Sequence, residues 1–233
     1  MKVLAVGDIH TKQWIIYEVA EIIDCYDKIV FCGDYADNFN AEPMQTINTW
    51  RLMKQFVEDY PNRVNAVIGN HDFAYLQSET AGRSSGFNYI TYTLINAPEN
   101  RKLRDWLKSL PVAIEIDGVT YSHAGITDQW SGDESVNGLW NDTSPIWARP
   151  REFGGQTTYK NIPQVIGHNP SEKIWNPAPN VWCIDTFSEN TDNSSRGDKT
   201  MIEVIDGKEF KITNIKEIYE NNNYTANFEK EVS

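Results

Sequence analysis

The sequence predicts an α/β domain built on a parallel core sheet, and three observations carry that expectation. Short apolar, β-branched runs at Val3–Val6, Ile29–Phe31 and Val64–Ile68 alternate with two stretches of helical periodicity. The resulting order of strand, helix, strand, helix, strand implies right-handed crossovers between parallel strands. Two Asp-Gly pairs, Asp117-Gly118 and Asp206-Gly207, each lie between apolar runs, the preferred composition of a two-residue hairpin turn, so antiparallel strands are expected further along. A length of 233 residues with 40% hydrophobic side chains suffices for one sizeable core.

Residues 2–6 are the first strand and 7–12 a loop. Trp14, Ile15, Val19, Ile22 and Ile23 recur at helical spacing and give a helix of roughly three turns. A second strand at 28–32 leads into a loop at 33–42. Pro43, whose fixed φ suits a first helical turn, opens a second helix with Met44, Ile47, Leu52, Met53, Phe56 and Val57 on one face. That helix ends before Pro61, and 63–68 form the third strand. The stretch 73–98 changes character, polar from Ser78 to Gly86 and aromatic from Phe87 to Leu94, and reads as a functional flap. Leu103, Trp106, Leu107 and Leu110 mark a helix over 99–109 that Pro111 ends. Hairpins at 112–122 and 201–212 flank an irregular Trp-rich segment, 127–160, and strands at 163–166 and 181–184. The loop 188–198 is polar. One domain is expected over 1–215, followed by a peripheral or partly disordered tail at 216–233.

A net charge of -12 repels phosphate backbones on average and weighs against broad, nonspecific nucleic-acid binding. No window of about 20 apolar residues exists, so no membrane helix is expected. The apolar run after Lys2 is too brief for a secretory signal, and the expected location is the cytoplasm. Cys25, Cys32 and Cys183 form an odd set without zinc-site spacing and read as reduced, buried thiols.

All 4 histidines follow short apolar strands. They stand in Gly7-Asp8-Ile9-His10, Gly69-Asn70-His71-Asp72, Ser122-His123-Ala124-Gly125 and Gly167-His168-Asn169-Pro170, and Gly33-Asp34-Tyr35-Ala36-Asp37 holds the same place after the second strand. Carboxylate, carboxamide and imidazole are the donors that divalent Mn, Fe, Zn or Mg use, and two such ions about 3.5–4 Å apart share a bridging ligand. Asp8, His10, Asp34, Asn70, His123 and His168 supply such groups. Hydroxide between two cations is a nucleophile at neutral pH, and the cations offset the charge of a phosphate attacked in line. His71, beside Asn70, cannot easily reach the same ion; it is left to protonate a leaving alkoxide, with Asp37 as orienting partner. Arg149, in Trp147-Ala148-Arg149-Pro150-Arg151, offers a bidentate phosphate clamp.

In order and spacing these five motifs, with the later Cys183-Ile184-Asp185-Thr186 strand, resemble the calcineurin-like metallophosphoesterases over roughly residues 1–215. The resemblance implies a four-layer α/β/β/α sandwich of mixed sheets with a dinuclear site at the carboxyl ends of the strands. It assigns Asp8 and His10 to a first metal, Asp34 to the bridge, and Asn70, His123 and His168 to the second metal, with Asn70 also facing substrate. It pairs His71 with Asp37 for leaving-group protonation. Two divalent ions are implied, Mn2+ foremost, with Fe, Zn, Ni or Mg as alternatives.

Pro170 stands where many relatives place a second histidine on the first metal. That feature, the His71 and Asp37 pair, and the Trp147–Arg149 segment resemble the phosphoprotein-phosphatase branch and its bacterial and phage relatives, the diadenosine tetraphosphatases included. The chain also departs from that branch. Asn38-Phe39 replaces the usual Arg-Gly after Asp37, Thr11 stands where Gly is usual, and Phe187 where Gly is common. The phosphate grip lost at Asn38 is expected from Arg83 or Arg151. The resemblance ranks a serine/threonine-type protein phosphatase or broad phosphomonoesterase first, a dinucleoside polyphosphate hydrolase second and a nucleic-acid end phosphatase or phosphodiesterase third. The expected partner is a phosphoprotein or small phosphoester. Every position of the site is filled, which sets the chain apart from a catalytically silent scaffold on the same fold.

Overall fold

The computed structural model describes residues 1–77, 84–150 and 158–222. Two mixed sheets of five strands pack face to face. The first comprises β1 (Lys2–Val6), β2 (Lys28–Phe31), β3 (Val64–Ala66), β9 (Met201–Ile205) and β10 (Glu209–Thr213), in the order β10-β9-β1-β2-β3. The second comprises β4 (Ala113–Ile116), β5 (Val119–Ser122), β6 (Gln164–Ile166), β7 (Trp175–Ala178) and β8 (Val181–Cys183), in the order β4-β5-β6-β8-β7. Each sheet has a parallel block, β1-β2-β3 at one side of the first, with antiparallel β9 and β10 beyond β1, and β5-β6-β8 at the centre of the second, flanked by antiparallel β4 and β7.

Strand alternation sorts the core. Leu4 and Val6 of β1 face the helices, whereas Val3 and Ala5 face Val119, Tyr121 and Val165 of the second sheet. Helices α1 (Gln13–Glu21) and α2 (Pro43–Asp59) close the outer face of the first sheet, and α3 (Asn70–Ala74) is a short helix after β3. Pro43 occupies the first turn of α2 as expected, and Gln45 Oε1 accepts from the Glu42 backbone N–H at 2.7 Å. Helices α4 (Tyr89–Asn96) and α5 (Arg101–Ser109) pack on α2. On the outer face of the second sheet Ile166, Val181 and Cys183 pack with Ala148, which follows the short helix α6 (Ser144–Trp147). The four-layer sandwich is present, with its last layer reduced to α6 and adjoining loops.

Four local expectations change. β3 ends at Ala66, because the Ile68 N–H leaves the ladder and donates to Pro111 O at 3.0 Å. The aromatic half of the predicted flap is α4, whose Asn88 cap accepts from Ile90 and Thr91 N–H groups; exposed Tyr89 and Ile90 blur the buried Thr91 and Ile95 stripe. Residues 78–83 of that flap lie outside the described residues. β7 went unpredicted because it carries Pro177, which a sheet edge tolerates. Finally, Ile215–Asn221 form α7, capped by Asn214 and docked through buried Ile218 and Tyr219; residues 223–233 of the predicted tail lie outside the described residues. Cys32 and Cys183 are buried free thiols, with Cys25 partly covered. Among the described residues, no helix is long and apolar enough to cross a membrane.

Both predicted hairpin turns have the left-handed pair of a type I′ turn, with φ of 53° and 76° at Asp117 and Gly118 and of 50° and 63° at Asp206 and Gly207. Their surroundings differ. Gly118 faces open space, whereas a Cβ on Gly207 would overlap the Asp117 carbonyl oxygen. Gly118→Ala is expected to cost about 1 kcal/mol from the backbone alone, and Gly207→Ala distinctly more. Urea denaturation of the two variants measures the difference, and equal losses would mean that the turns do not touch in solution.

Candidate metal centre

The parallel strands of both sheets end at one edge and deliver the predicted residues from the loops that follow. Asp8 and His10 come after β1, Asp34 and Asp37 after β2, Asn70 and His71 after β3, His123 after β5 and His168 after β6. The loops turn sharply to do so. His10, Asp34, Asp37 and His168 have φ of 40°, 53°, 58° and 63°, the left-handed region that non-glycine residues rarely adopt. Glycines supply the clearance: a Cβ at Gly69 would overlap the Asp34 carboxylate, and one at Gly167 the Asp8 carboxylate.

Asp34 is the geometric centre of the site. Its Oδ2 lies 3.4 Å from His123 Nε2 and 3.9 Å from both His10 Nε2 and His71 Nε2, while Oδ1 accepts from the His71 backbone N–H at 2.9 Å. Two groups of donors result, Asp8 with Asp34 and His123, and His10 with Asp34 and His71, each with its ligand atoms within 4.8 Å of one another. Asp34 belongs to both, the placement a bridging ligand requires. Asp8 thus groups with His123 rather than with His10, and its oxygens accept from the His168 backbone N–H at 3.1 and 3.0 Å. Asn70 Oδ1 sits 2.8 Å from His123 Nε2 and 2.9 Å from His168 Nδ1, and those two nitrogens are 3.1 Å apart.

The backbone sets the tautomers. His10 Nδ1 lies 3.0 Å from Ala36 O and His123 Nδ1 2.9 Å from Cys32 O. A carbonyl only accepts, so each Nδ1 carries the proton and each Nε2 presents a lone pair. Those lone pairs face the oxygens of Asp34 and, for His123, of Asn70. Acceptors facing acceptors repel across a buried gap but suit a cation placed among them. Burial also holds His123 far below the usual imidazole range and lowers His10 to about 3, while burial and then Arg149 lower His168 to about 4. All three are neutral donors at pH 7. Burial meanwhile pushes Asp8 far above the carboxylate range and Asp34 up to about 8, so both ionise readily only beside positive charge. The His168 Nε2 and Asp185 Oδ2 atoms are buried without hydrogen-bond partners. Neutral imidazoles, an amide oxygen and buried carboxylates fit two divalent ions.

His71 is set apart electrostatically. Its Nδ1 lies 2.9 Å from Asp37 Oδ2, and Asp37 in turn accepts from Tyr75 Oη at 2.5 Å and Ser84 Oγ at 3.3 Å. Burial alone would lower the imidazole, but the Asp34 and then the Asp37 carboxylates overcome it and raise His71 to about 9. It carries a proton at neutral pH.

A cleft of about 240 Å³ opens over these residues and is also lined by Trp147 and Arg149. Arg149 Nη1 donates to Asn169 Oδ1 at 3.1 Å, beside His168. Arg83 and Arg151 lie outside the described residues. Sequence reasoning missed Arg196, which lines the cleft from the polar loop after β8 where no motif marks it. It also left Asp185 without a role, although its buried carboxyl stands beside Asp8, accepts from Ser188 Oγ at 2.6 Å and is raised by burial to about 6.

The titrations predict how stability responds to pH. Without metal, the native Asp34–His71 pair between pH 6.5 and 8 keeps a shared proton that the unfolded chain releases at the ordinary values of 3.8 and 6.5. Stability therefore falls as pH rises through that window, on the order of 1–2 kcal/mol, and the lowered imidazoles act only below it. Melting curves in EDTA should show the fall and saturating Mn2+ should remove it. A flat profile in EDTA would contradict the buried, proton-sharing pair.

Residues 1–203 match the family model described as calcineurin-like phosphoesterase. Among curated proteins, the chain is 27% identical over 139 residues to a symmetrical bis(5'-nucleosyl)-tetraphosphatase of Janthinobacterium sp., covering 58% of this chain and 48% of that protein. It is 24% identical over 192 residues to one of Aromatoleum aromaticum, covering 79% and 60%. The chain spans about half the length of the curated relatives it matches. Among solved structures it resembles a cold-active protein-tyrosine phosphatase of a Shewanella species, with TM-score 0.58, 21% identity and coverage of 91% of this chain and 80% of that one. It also resembles a protein serine/threonine phosphatase of Saccharomyces cerevisiae, with TM-score 0.58, 14% identity and coverage of 92% and 80%. At such identities the structural likeness is one of fold. A match that takes in all five strand-end loops, joined to paired donor groups that share one carboxylate, places the chain in the calcineurin-like phosphoesterase family.

Proposed function

We propose that the chain is a metal-dependent hydrolase of phosphoric anhydrides and esters whose preferred substrates are dinucleoside polyphosphates. The observation that supports this most is that both curated relatives described above are symmetrical bis(5'-nucleosyl)-tetraphosphatases, whereas the likeness to protein phosphatases is confined to the fold. This reverses the order that the motifs alone suggested.

In this reading Asp34 would serve both ions, with Asp8, His10, Asn70, His123 and His168 as the further ligands and Mn2+ the leading candidate. The donor grouping sets Asp8 with His123 at one ion and His10 at the other, which departs from the pairing of Asp8 with His10 that the resemblance implied. The ions when bound supply an activated water and positive charge against the phosphoryl oxygens. The remaining work falls to side chains. Arg149 grips a phosphoryl oxygen, and Asn70 turns its amide toward substrate. His71, tied through Nδ1 to Asp37, holds a proton on Nε2 for the departing oxygen, and Tyr75 and Ser84 fix the Asp37 carboxylate in place.

One observation favours a second reading, hydrolysis of phosphomonoesters such as phosphoserine. A protonated, carboxylate-held His71 is most valuable when an alkoxide must leave, whereas a nucleoside diphosphate departs readily at neutral pH.

With Mn2+, diadenosine tetraphosphate is expected to yield ADP with a higher kcat/KM than a phosphoserine peptide, measured by chromatography of products. The opposite order would establish the second reading. His71→Ala is expected to lose roughly 10²–10⁴-fold on the phosphoserine peptide and far less on p-nitrophenyl phosphate, whose leaving group needs no proton. Equal losses on the two would remove His71 from the proton-donor role. Asp34→Asn is expected to lose bound metal and activity together.

A further inference from the structure

Phe39 has no part in the chemistry derived so far, yet its side chain is 49% exposed and lines the cleft over the metal centre. Its position is held from both sides. Asn38 Nδ2 donates to Glu189 Oε2 at 2.8 Å, and Asn40 Nδ2 donates to Asn193 Oδ1 at 2.6 Å. The loop that receives both bonds is itself braced. Glu189 and Ser195 pair in an antiparallel bridge, Asn190 Nδ2 donates to Ser194 Oγ at 3.0 Å, and the Arg196 N–H donates to Ser188 O at 3.0 Å. Underneath, the buried Lys12 ammonium lies 3.7 Å from Glu189 Oε1.

Phe39 and Arg196 therefore stand on two loops joined side chain to side chain, and both line the cleft that Asp8, Asp34 and His71 line. Among the described residues, the Arg196 guanidinium makes no hydrogen bond or ion pair and the Phe39 ring stacks on no other ring. An aromatic ring and a guanidinium lining one cleft, each free of a ring or charge partner among the described residues, are the combination that binds a base and its phosphate.

The size of the cleft agrees. At about 240 Å³ it falls below the roughly 300 Å³ at which small-molecule pockets begin, which leaves room for phosphates but sends a nucleoside to the rim. A second aromatic and arginine pair, Trp147 and Arg149, borders the same cleft beside His168, with Trp147 edge-on to that imidazole at 5.6 Å. Two aromatic and arginine sets on one cleft, the second with its Arg149 already hydrogen-bonded to Asn169, match the two nucleoside ends of a dinucleoside polyphosphate.

We infer that Phe39 and Arg196 form a nucleoside-phosphate subsite, in which Phe39 stacks on the base and Arg196 pairs with the phosphate beyond the one attacked. The inference rests on the dinucleoside polyphosphate reading of this cleft. It also makes Asn38-Phe39 an exchange of function, in which a base platform and a guanidinium from another loop stand where a local arginine would otherwise be expected.

Titration calorimetry of the Mn2+-loaded protein with ADP, AMP and inorganic phosphate tests the subsite without requiring turnover. Given the usual strength of base stacking on aromatic side chains, Phe39→Ala is expected to weaken ADP roughly 10-fold and inorganic phosphate less than about 2-fold, with Phe39→Trp restoring ADP. Arg196→Ala is expected to abolish the preference for ADP over AMP. The subsite is overturned if Phe39→Ala weakens ADP and phosphate alike, or neither, or if the ADP preference survives in Arg196→Ala. If ADP binding depends on Phe39 while wild-type protein leaves diadenosine tetraphosphate intact, the subsite stands and the substrate reading falls. If diadenosine tetraphosphate is hydrolysed and Phe39→Ala leaves ADP binding unchanged, the subsite falls alone.

Discussion

The buried carboxylate of Asp72 holds the active edge together. It accepts from the Gly69 N–H at 3.1 Å, from the Tyr35 and Ala36 N–H groups at 3.2 and 3.0 Å, and from Trp50 Nε1 at 2.8 Å. One side chain thus ties the loop after β2 to the loop after β3 and anchors both to α2. Asp34, Asp37, Asn70 and His71 owe their mutual positions to that clamp. Each of these buried donors, left unpaired, costs roughly 1–3 kcal/mol. Asp72 takes no part in the proposed chemistry, but the chemistry depends on it.

Around this clamp the protein concentrates features that a stable fold would otherwise avoid. Asp8, Asp34, Asp72 and Asp185 are carboxylates buried within a few residues of one another in space, all raised by burial. Four site residues hold left-handed backbone without being glycine. Both are costs that a bound cation offsets, since it draws the carboxylates into their charged form and fixes the loops that present them. A bound ion would thus act on the folded state through the same few side chains.

Much of this was legible in the sequence because polar residues immediately after short apolar strands have little choice of location. Gly7-Asp8, Gly33-Asp34, Gly69-Asn70 and Gly167-His168 mark strand ends by their glycines and chemistry by their donors, and the structure brings them to one edge. The Asp-Gly hairpins were equally explicit. What escaped had physical reasons. Exposed Tyr89 and Ile90 hid the period of α4, Pro177 disguised an edge strand, and α7 is too short to show a face. Arg196 and Glu189 belong to the site only through contacts between loops distant in sequence, which no local pattern encodes. Substrate preference was the least legible, because a dinuclear centre acts on a phosphoryl group whatever is attached to it. On the proposed reading, the part that discriminates lies on the rim, in single residues such as Phe39.

The hydrogen bonds that orient His10 and His123 end on the carbonyls of Ala36 and Cys32, which belong to the segment running out of β2. Main-chain carbonyls persist through any substitution at those positions. Two donors of the site therefore have their proton placement written into the backbone rather than entrusted to a neighbouring side chain. Drift in the surrounding sequence can change what this centre acts upon, and how tightly, while leaving the imidazole lone pairs aimed at the same point.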